Sequence, residues 1–395
     1  MSGPNSRAHD RRPHVILPAP AGRTSGGFLV NGRLFAPGEH AVVYVSTTDG
    51  LAHELDALGR SDVAVVDSLF LFETAQAETL VRAARRSRII LIAHSLPSLI
   101  PGTTAASRLH LLSLERAFLS VCAGALAPSA FMAAALNRRG LVHEAIAVIP
   151  PAPICDGRGT LASVDAPPTA PRPALGREVG RSDPPIQVLT VANWSPAKGV
   201  AHAARALAII ADLEWRWTVI GSRDEESGYA DEIVGCLASE GLEARVELVQ
   251  PVPPDELAGY YRRADLFVLP SLMESYGLVY AESLSYGVPI VGYRAAAVEE
   301  VVGDAGILVP AGRVDLLAQA IRDFFTGDAY APATTRADDR VAPTIAILRD
   351  RAVARAASLP RWQTVGTRFT AAIARLCTRR PAKTFPGANS GESPR

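Results

Sequence analysis

The chain has 395 residues, 48% of them hydrophobic, and its 40 basic and 40 acidic side chains balance. That length exceeds one ordinary core and predicts about two domains, while the even charge gives no electrostatic case for a nucleic-acid partner. Cys122, Cys155, Cys236 and Cys377 are scattered without CxxC spacing, which argues against a disulfide framework or a zinc site and for a reducing, cytoplasmic setting.

In chain order, residues 1–12 are polar and read as a disordered tail. The stretch after them is too short and proline-broken for a secretory signal. Apolar runs then recur as strands near 14–19, 41–46, 62–67, 88–94, 124–129 and 145–150, with helical stretches over 73–86 and 115–123 between them. This alternation marks residues 13–150 as a first α/β domain. Residues 151–185 are proline-rich and without period, as expected of a linker.

A second α/β unit over 186–360 restarts with a strand at 186–193. A helix over about 198–211 follows, then a strand at 216–222, a helix at 229–241 and a strand at 245–250. A last helical spacing of Trp362, Val365, Phe369, Ile373 and Leu376 marks residues 361–378, before a second disordered tail at 379–395. No run is long and apolar enough to span a bilayer, so the chain is expected to be soluble, with peripheral membrane contact left open. Lys198 and Lys383 are the only lysines. In a chain that otherwise uses arginine, a lysine inside a motif is informative.

The most informative segment is LPSLMESYGLVYAESLSYGVPI, residues 269–290. The buried-type run Leu266–Leu269 feeds a loop, a short helix over 278–286 and a further strand at 289–293, which is the βαβ unit of a parallel sheet. Ligands sit at the carboxyl ends of such strands, against the following helix. Gly277 allows close backbone approach, and the free amides of Gly277, Leu278 and Val279 would point at an anion. Glu274 and Glu282 flank that point, one placed for the head of a phosphorylated ligand and the other for its tail.

Taken together, these segments resemble glycosyltransferase family 4, the retaining nucleotide-sugar enzymes of the GT-B fold. ESYGLVYAE carries that family's E-x7-E signature, and VANWSPAKG (191–199) and WTVIGS (217–222) fall where the family has its phosphate-binding lysine and next strand. TSGGFLVNGRL (24–34), IAHSLP (92–97) and ALAPSAFMAAAL (125–136) resemble its Gly-Gly loop, His-bearing strand end and strand-Ser-helix segment.

The resemblance implies two doubly wound Rossmann-like domains facing across a cleft, with residues 361–378 crossing back to the first. It implies that Glu274 bonds donor-sugar hydroxyls, that the amides of Tyr276, Gly277, Leu278 and Val279 hold a diphosphate, and that Ser275 also belongs to the donor site. Glu282 would accept ribose hydroxyls, and Lys198 would neutralise the leaving group. Asn193 and Gly221 would line the donor site, Gly26 and Gly27 would approach the phosphates from the first domain, and His94 would lie at the reacting sugar.

The implied partners are a UDP- or GDP-sugar donor and a hydroxyl acceptor, with no cofactor. No DxD-type acidic pair calls for a metal. Two departures stand out. Asn193-Trp194 replaces a usual Gly-Arg, with Arg223 a candidate substitute. Ala295-Ala296 replaces a usual Gly-Gly, and Glu299 or, preferably, Glu300 matches the glutamate that follows. These departures motivate a non-catalytic sugar-nucleotide-binding relative as an alternative; a GT-B epimerase is another, over which the E-x7-E segment favours transfer.

Overall fold

A computed structural model of the chain describes residues 13–19, 25–35, 42–59, 62–155, 185–223, 228–326 and 345–379. The expected tail at 1–12, nearly all of that at 379–395, and linker residues 156–184 lie outside the described residues.

The first half alternates β1 (His14–Pro18), α1 (Gly26–Leu34), β2 (Val42–Val45), α2 (Thr48–Asp56), β3 (Val63–Asp67), α3 (Thr74–Ala84), β4 (Arg88–Ile92), α4 (Ala105–Leu119), β5 (Gly124–Ala127), α5 (Ala130–Arg138) and β6 (Ile146–Val148). Its six parallel strands lie in the order β2-β1-β3-β4-β5-β6. The second half alternates β7 (Ile186–Val191), α6 (Val200–Ile209), β8 (Trp215–Ile220), α7 (Tyr229–Ser239), β9 (Val246–Val249), α8 (Pro254–Arg263) and β10 (Leu266–Leu269). It continues through α9 (Leu278–Ser285), β11 (Ile290–Arg294), α10 (Val298–Val302), β12 (Gly306–Pro310), α11 (Val314–Thr326) and α12 (Ile345–Ser358).

The second sheet runs β12-β11-β10-β7-β8-β9, the doubly wound order in which the winding direction reverses between the first and fourth strands, here β7 and β10. Phe267 pairs with Leu189 on one side and Ile290 on the other. Central strands are buried on both faces, which explains why β10 is an unbroken LFVL with all four residues buried. In the first sheet the reversal lies between β1 and β3. Each sheet therefore has one crevice where successive crossover connections diverge.

The last helix, α13 (Trp362–Thr378), leaves the second half and packs on the first sheet. Its Val365, Phe369, Ile373 and Leu376 share a cluster with Val15 and Ile90, and Phe369 meets Phe35 edge-to-face at 5.4 Å. Where this crossing begins, the Trp362 indole donates to the Pro153 carbonyl at 2.9 Å. The two crossing segments are thereby bonded to each other. Residues 151–155 of the expected linker form neither helix nor strand, yet four of the five are buried.

Three local expectations are corrected. Helix α4 begins at Ala105, ten residues earlier than its periodicity indicates, because Thr104 caps it by accepting from the Ser107 amide and its first two turns are exposed, with Leu109 69% accessible. Gly26 and Gly27 are not in a turn but open helix α1. Lys198 is not inside a helix: it ends a short 3-10 turn, Pro196–Lys198, and α6 starts only after the left-handed Gly199.

Candidate functional site

The carboxyl ends of both sheets meet. Ser129, after β5, donates to the Ser275 carbonyl after β10 at 2.6 Å, and a Cβ on Gly26 would lie 3.2 Å from the Leu278 side chain. Both crevices thus open on one cleft.

On the second-domain side, the segment after β7 and the loop after β10 are fitted to each other. The Leu272 amide donates to the Ala197 carbonyl at 2.8 Å, and a Cβ on Gly199 would fall 2.2 Å from the Pro270 carbonyl oxygen. Gly199 also has φ 66°, so only glycine fits without strain. This fit delivers Lys198 Nζ to within 2.8 Å of Glu274 Oε1. Ser271 Oγ donates to that same oxygen at 2.8 Å, and the Ala297 amide fixes the Glu274 carbonyl at 3.1 Å. Glu274 is buried while Lys198 remains partly exposed, so the ammonium still faces the cleft.

Gly277 precedes α9 with φ 102°. No side chain caps the helix, and the Leu278 and Val279 amides have no acceptor among the described residues. They provide the partial positive charge expected of an open helix N-terminus. Ser275 is half-buried. Tyr276 is buried against the second core, which pushes its phenol up to about 12. Gly221 follows β8 so closely that a Cβ would stand 1.9 Å from the Ala192 carbonyl oxygen. Asn193 Oδ1 accepts from the Ser222 amide at 3.3 Å.

Beside them Trp194 is fully buried, with Arg223 lying 5.4 Å over its ring and donating to the Leu248 carbonyl at 2.9 Å. The residue standing where the family carries arginine is therefore core packing. Arg223 is engaged with that indole and β9, not with the Lys198–Glu274 pair.

Glu282 lies one turn into α9 and is only 4% exposed. Tyr261 Oη donates to one of its oxygens at 3.0 Å and the Cys155 amide to the other at 3.4 Å. Burial pushes its carboxyl up to about 7 against these hydrogen bonds. Cys155 Sγ in turn meets Tyr286 Oη at 3.0 Å, and Tyr286 stacks on Tyr261 at 5.3 Å. Glu282 thus also ties the first crossing segment to the second domain.

On the first-domain side, a Cβ on Gly27 would lie 3.2 Å from the His94 ring. His94 Nε2 is 2.8 Å from Asn31 Oδ1 and 3.6 Å from Asp67 Oδ2, and Asn31 Nδ2 donates to Asp67 Oδ2 at 2.5 Å. Asn31 and Asp67 were not singled out in the sequence, where 36 residues separate them. The available signal was that Asp67 ends β3 and Asn31 lies on the Gly-Gly helix, both at the crevice of the first sheet.

Across the cleft, Glu300 accepts from the Ala130 and Phe131 amides at 2.8 and 2.7 Å, capping α5 from the other domain. Removing this carboxylate in Glu300→Ala is expected to weaken closure by about 1 kcal/mol, seen as a larger radius of gyration in small-angle scattering. Among the described residues, no group of three or more His, Cys, Asp or Glu side chains is placed to hold a metal ion, and no helix is long and apolar enough to cross a membrane.

Residues 185–326 match the family model of group 1 glycosyl transferases. A D-inositol 3-phosphate glycosyltransferase of Corynebacterium glutamicum is 30% identical over 146 residues, covering 34% of this chain and 35% of the relative. The O-antigen chain mannosyltransferase B of Escherichia coli is 29% identical over 149 residues, 37% and 39% of the two chains. The matched stretch thus spans about a third of these curated relatives.

Fold similarity extends further. Anabaena HepE in complex with UDP and glucose superposes with a TM-score of 0.66 at 17% identity, covering 91% of this chain and 99% of that one. Sucrose-phosphate synthase of Thermosynechococcus elongatus gives 0.67 at 18%, covering 92% and 99%. The chain therefore has the fold of these GT-B structures, and the match to group 1 glycosyl transferases is carried by residues 185–326.

Proposed function

We propose that the chain moves a hexose-type sugar from a UDP- or GDP-sugar to a hydroxyl acceptor, with retention of anomeric configuration. The observation that carries this reading is the Lys198–Glu274 pair held at the crevice of the second sheet beside the uncapped start of α9. The α9 amides and Lys198 would take the charge that develops on the diphosphate as the glycosidic bond breaks, so the reading calls for no metal. Glu274 would accept hydrogen bonds from donor-sugar hydroxyls through the oxygen not shared by Lys198 and Ser271.

Glu282 would take a ribose hydroxyl in place of the long Cys155 contact. His94 and the Gly26-Gly27 start of α1 would close on the sugar and phosphates from the other side. Retention would follow a front-face route, in which the departing phosphate helps deprotonate the acceptor hydroxyl. The curated relatives named for inositol 3-phosphate and O-antigen chains make hydroxylated, sugar-like acceptors the first to try.

Thermal unfolding with UDP and with GDP tests the donor site. Ligand at about 100 times its dissociation constant adds roughly 2.7 kcal/mol, a rise of several degrees. One nucleotide is expected to give that rise in the wild type and to lose it in Glu282→Ala. No rise with either would favour the reading of a degenerate, non-catalytic relative, for which the buried Trp194 in place of an arginine already speaks. A product with inverted anomeric configuration would overturn the front-face route.

A further inference from the structure

The crevice of the first sheet holds a buried polar chain of which the reading above uses only the last member, His94. Asp67, fully buried at the end of β3, accepts the Leu69 amide on Oδ1 at 2.8 Å and the Asn31 amide nitrogen on Oδ2 at 2.5 Å. Asn31, 3% exposed on α1, presents its Oδ1 to His94 Nε2 at 2.8 Å. Each link has only one polarity. An ionised carboxylate can only accept, so the Asn31 NH2 must face Asp67 and its oxygen must face the histidine. That oxygen is itself only an acceptor, so Nε2 must carry the proton. His94 Nδ1 has no hydrogen-bond partner among the described residues.

We propose that Asn31 and Asp67 are positioning residues that hold His94 as the Nε2–H tautomer, leaving Nδ1 as the nitrogen that accepts a hydrogen bond from a substrate hydroxyl. Only the last clause rests on the function proposed above; the tautomer does not. Three separate elements, α1, β3 and the end of β4, converge to set one imidazole. The helix that supplies Asn31 also supplies Gly26 and Gly27, so the ring orientation and the phosphate-facing glycines are fixed by one rigid body.

The isosteric variant Asp67→Asn makes the inference testable without removing a contact. At position 67 the amide oxygen would keep the Leu69 cap, which puts NH2 where Oδ2 stood. Asn31 must then turn its oxygen toward position 67 and its NH2 toward His94, reversing the chain and favouring the Nδ1–H tautomer. Long-range proton–nitrogen spectra of the full-length protein, labelled at its eight histidines and recorded at about pH 8.5, where an ordinary imidazole is neutral, report the tautomer directly. His94→Gln identifies the signal.

The expected result is Nε2–H in the wild type and a shift toward Nδ1–H in Asp67→Asn. In a transfer assay the variant should lose at least about tenfold in kcat, with donor KM within about twofold. A wild-type Nδ1–H pattern, or the same tautomer in both proteins, would overturn the positioning role. A reversed tautomer with unchanged kcat would overturn its use in transfer. If no transfer is ever found, the spectra still decide the first question and the function proposed above fails separately.

Discussion

Lys198→Ala is expected to lower kcat by about 10²–10³-fold, the loss seen when one preorganised donor to a developing oxyanion is removed, while donor KM rises much less. The asymmetry follows from where the ammonium sits. Its partner Glu274 keeps the Ser271 hydrogen bond on the same oxygen without Lys198, so the loop retains that tie in the variant. Lys198 is partly exposed, and in the proposed transfer the leaving diphosphate would gain its additional charge there only as the bond breaks. An interaction that strengthens in the transition state appears in kcat.

Lys198→Arg should rescue poorly. The 3-10 turn and the close fit of Gly199 to Pro270 fix the backbone from which Lys198 projects, and a planar guanidinium does not fill the place of a compact point charge. Steady-state kinetics on the two variants check this. Equal loss in both would fit the tight seat of the lysine, and an unchanged kcat in Lys198→Ala would remove it from the chemistry. Thermal unfolding provides the control, because leaving the buried Glu274 without its cation should also reduce stability.

How much of this could be read from the chain depended on how local each signal was. The βα alternation, the buried LFVL strand and the Glu274–Gly277–Glu282 segment were legible because each lies within a few residues and follows one periodicity. Lys198 was legible through its rarity, but its place in a turn before the helix was not. Gly199 reads as an ordinary helix residue until the Pro270 carbonyl is seen 2.2 Å from where its Cβ would stand.

The early start of α4 was hidden because its first turns are exposed and carry no inward stripe. The Asn31–Asp67–His94 chain was invisible for a different reason. It joins residues 36 and 63 positions apart, and only the strand order, with β1 beside β3 and β3 beside β4, brings them together. Trp194 was legible only as a departure from the family pattern, an absent guanidinium; that the indole in its place packs into the second core is visible only in the structure.

Between about pH 4.5 and 7, Glu282 gives the largest expected pH effect on stability. Its carboxyl is raised from 4.5 to about 7 because burial disfavours the charge. Between those values the folded chain keeps a proton that the unfolded chain has released, so stability falls as pH rises through this window and levels off above about 7. The interval corresponds to roughly 3 kcal/mol. Denaturation of the intact protein followed by tryptophan fluorescence reads the relevant half, since Trp194, Trp215 and Trp217 all lie in the second core.

Glu282→Gln should flatten this dependence and be the more stable protein at pH 8. Its oxygen can take the Cys155 amide while its NH2 donates to Tyr261 Oη, which can turn its own proton to the Val279 carbonyl, 3.4 Å away. The same group then tests the ribose role. A ribose hydroxyl that donates to Glu282 favours the ionised form, so nucleotide binding near pH 6 should release a proton. Calorimetry in buffers of different ionisation enthalpy measures that release. Binding with no proton released, or with equal release from Glu282→Gln, would confine Glu282 to holding the crossing segment at Cys155 and take it out of donor recognition.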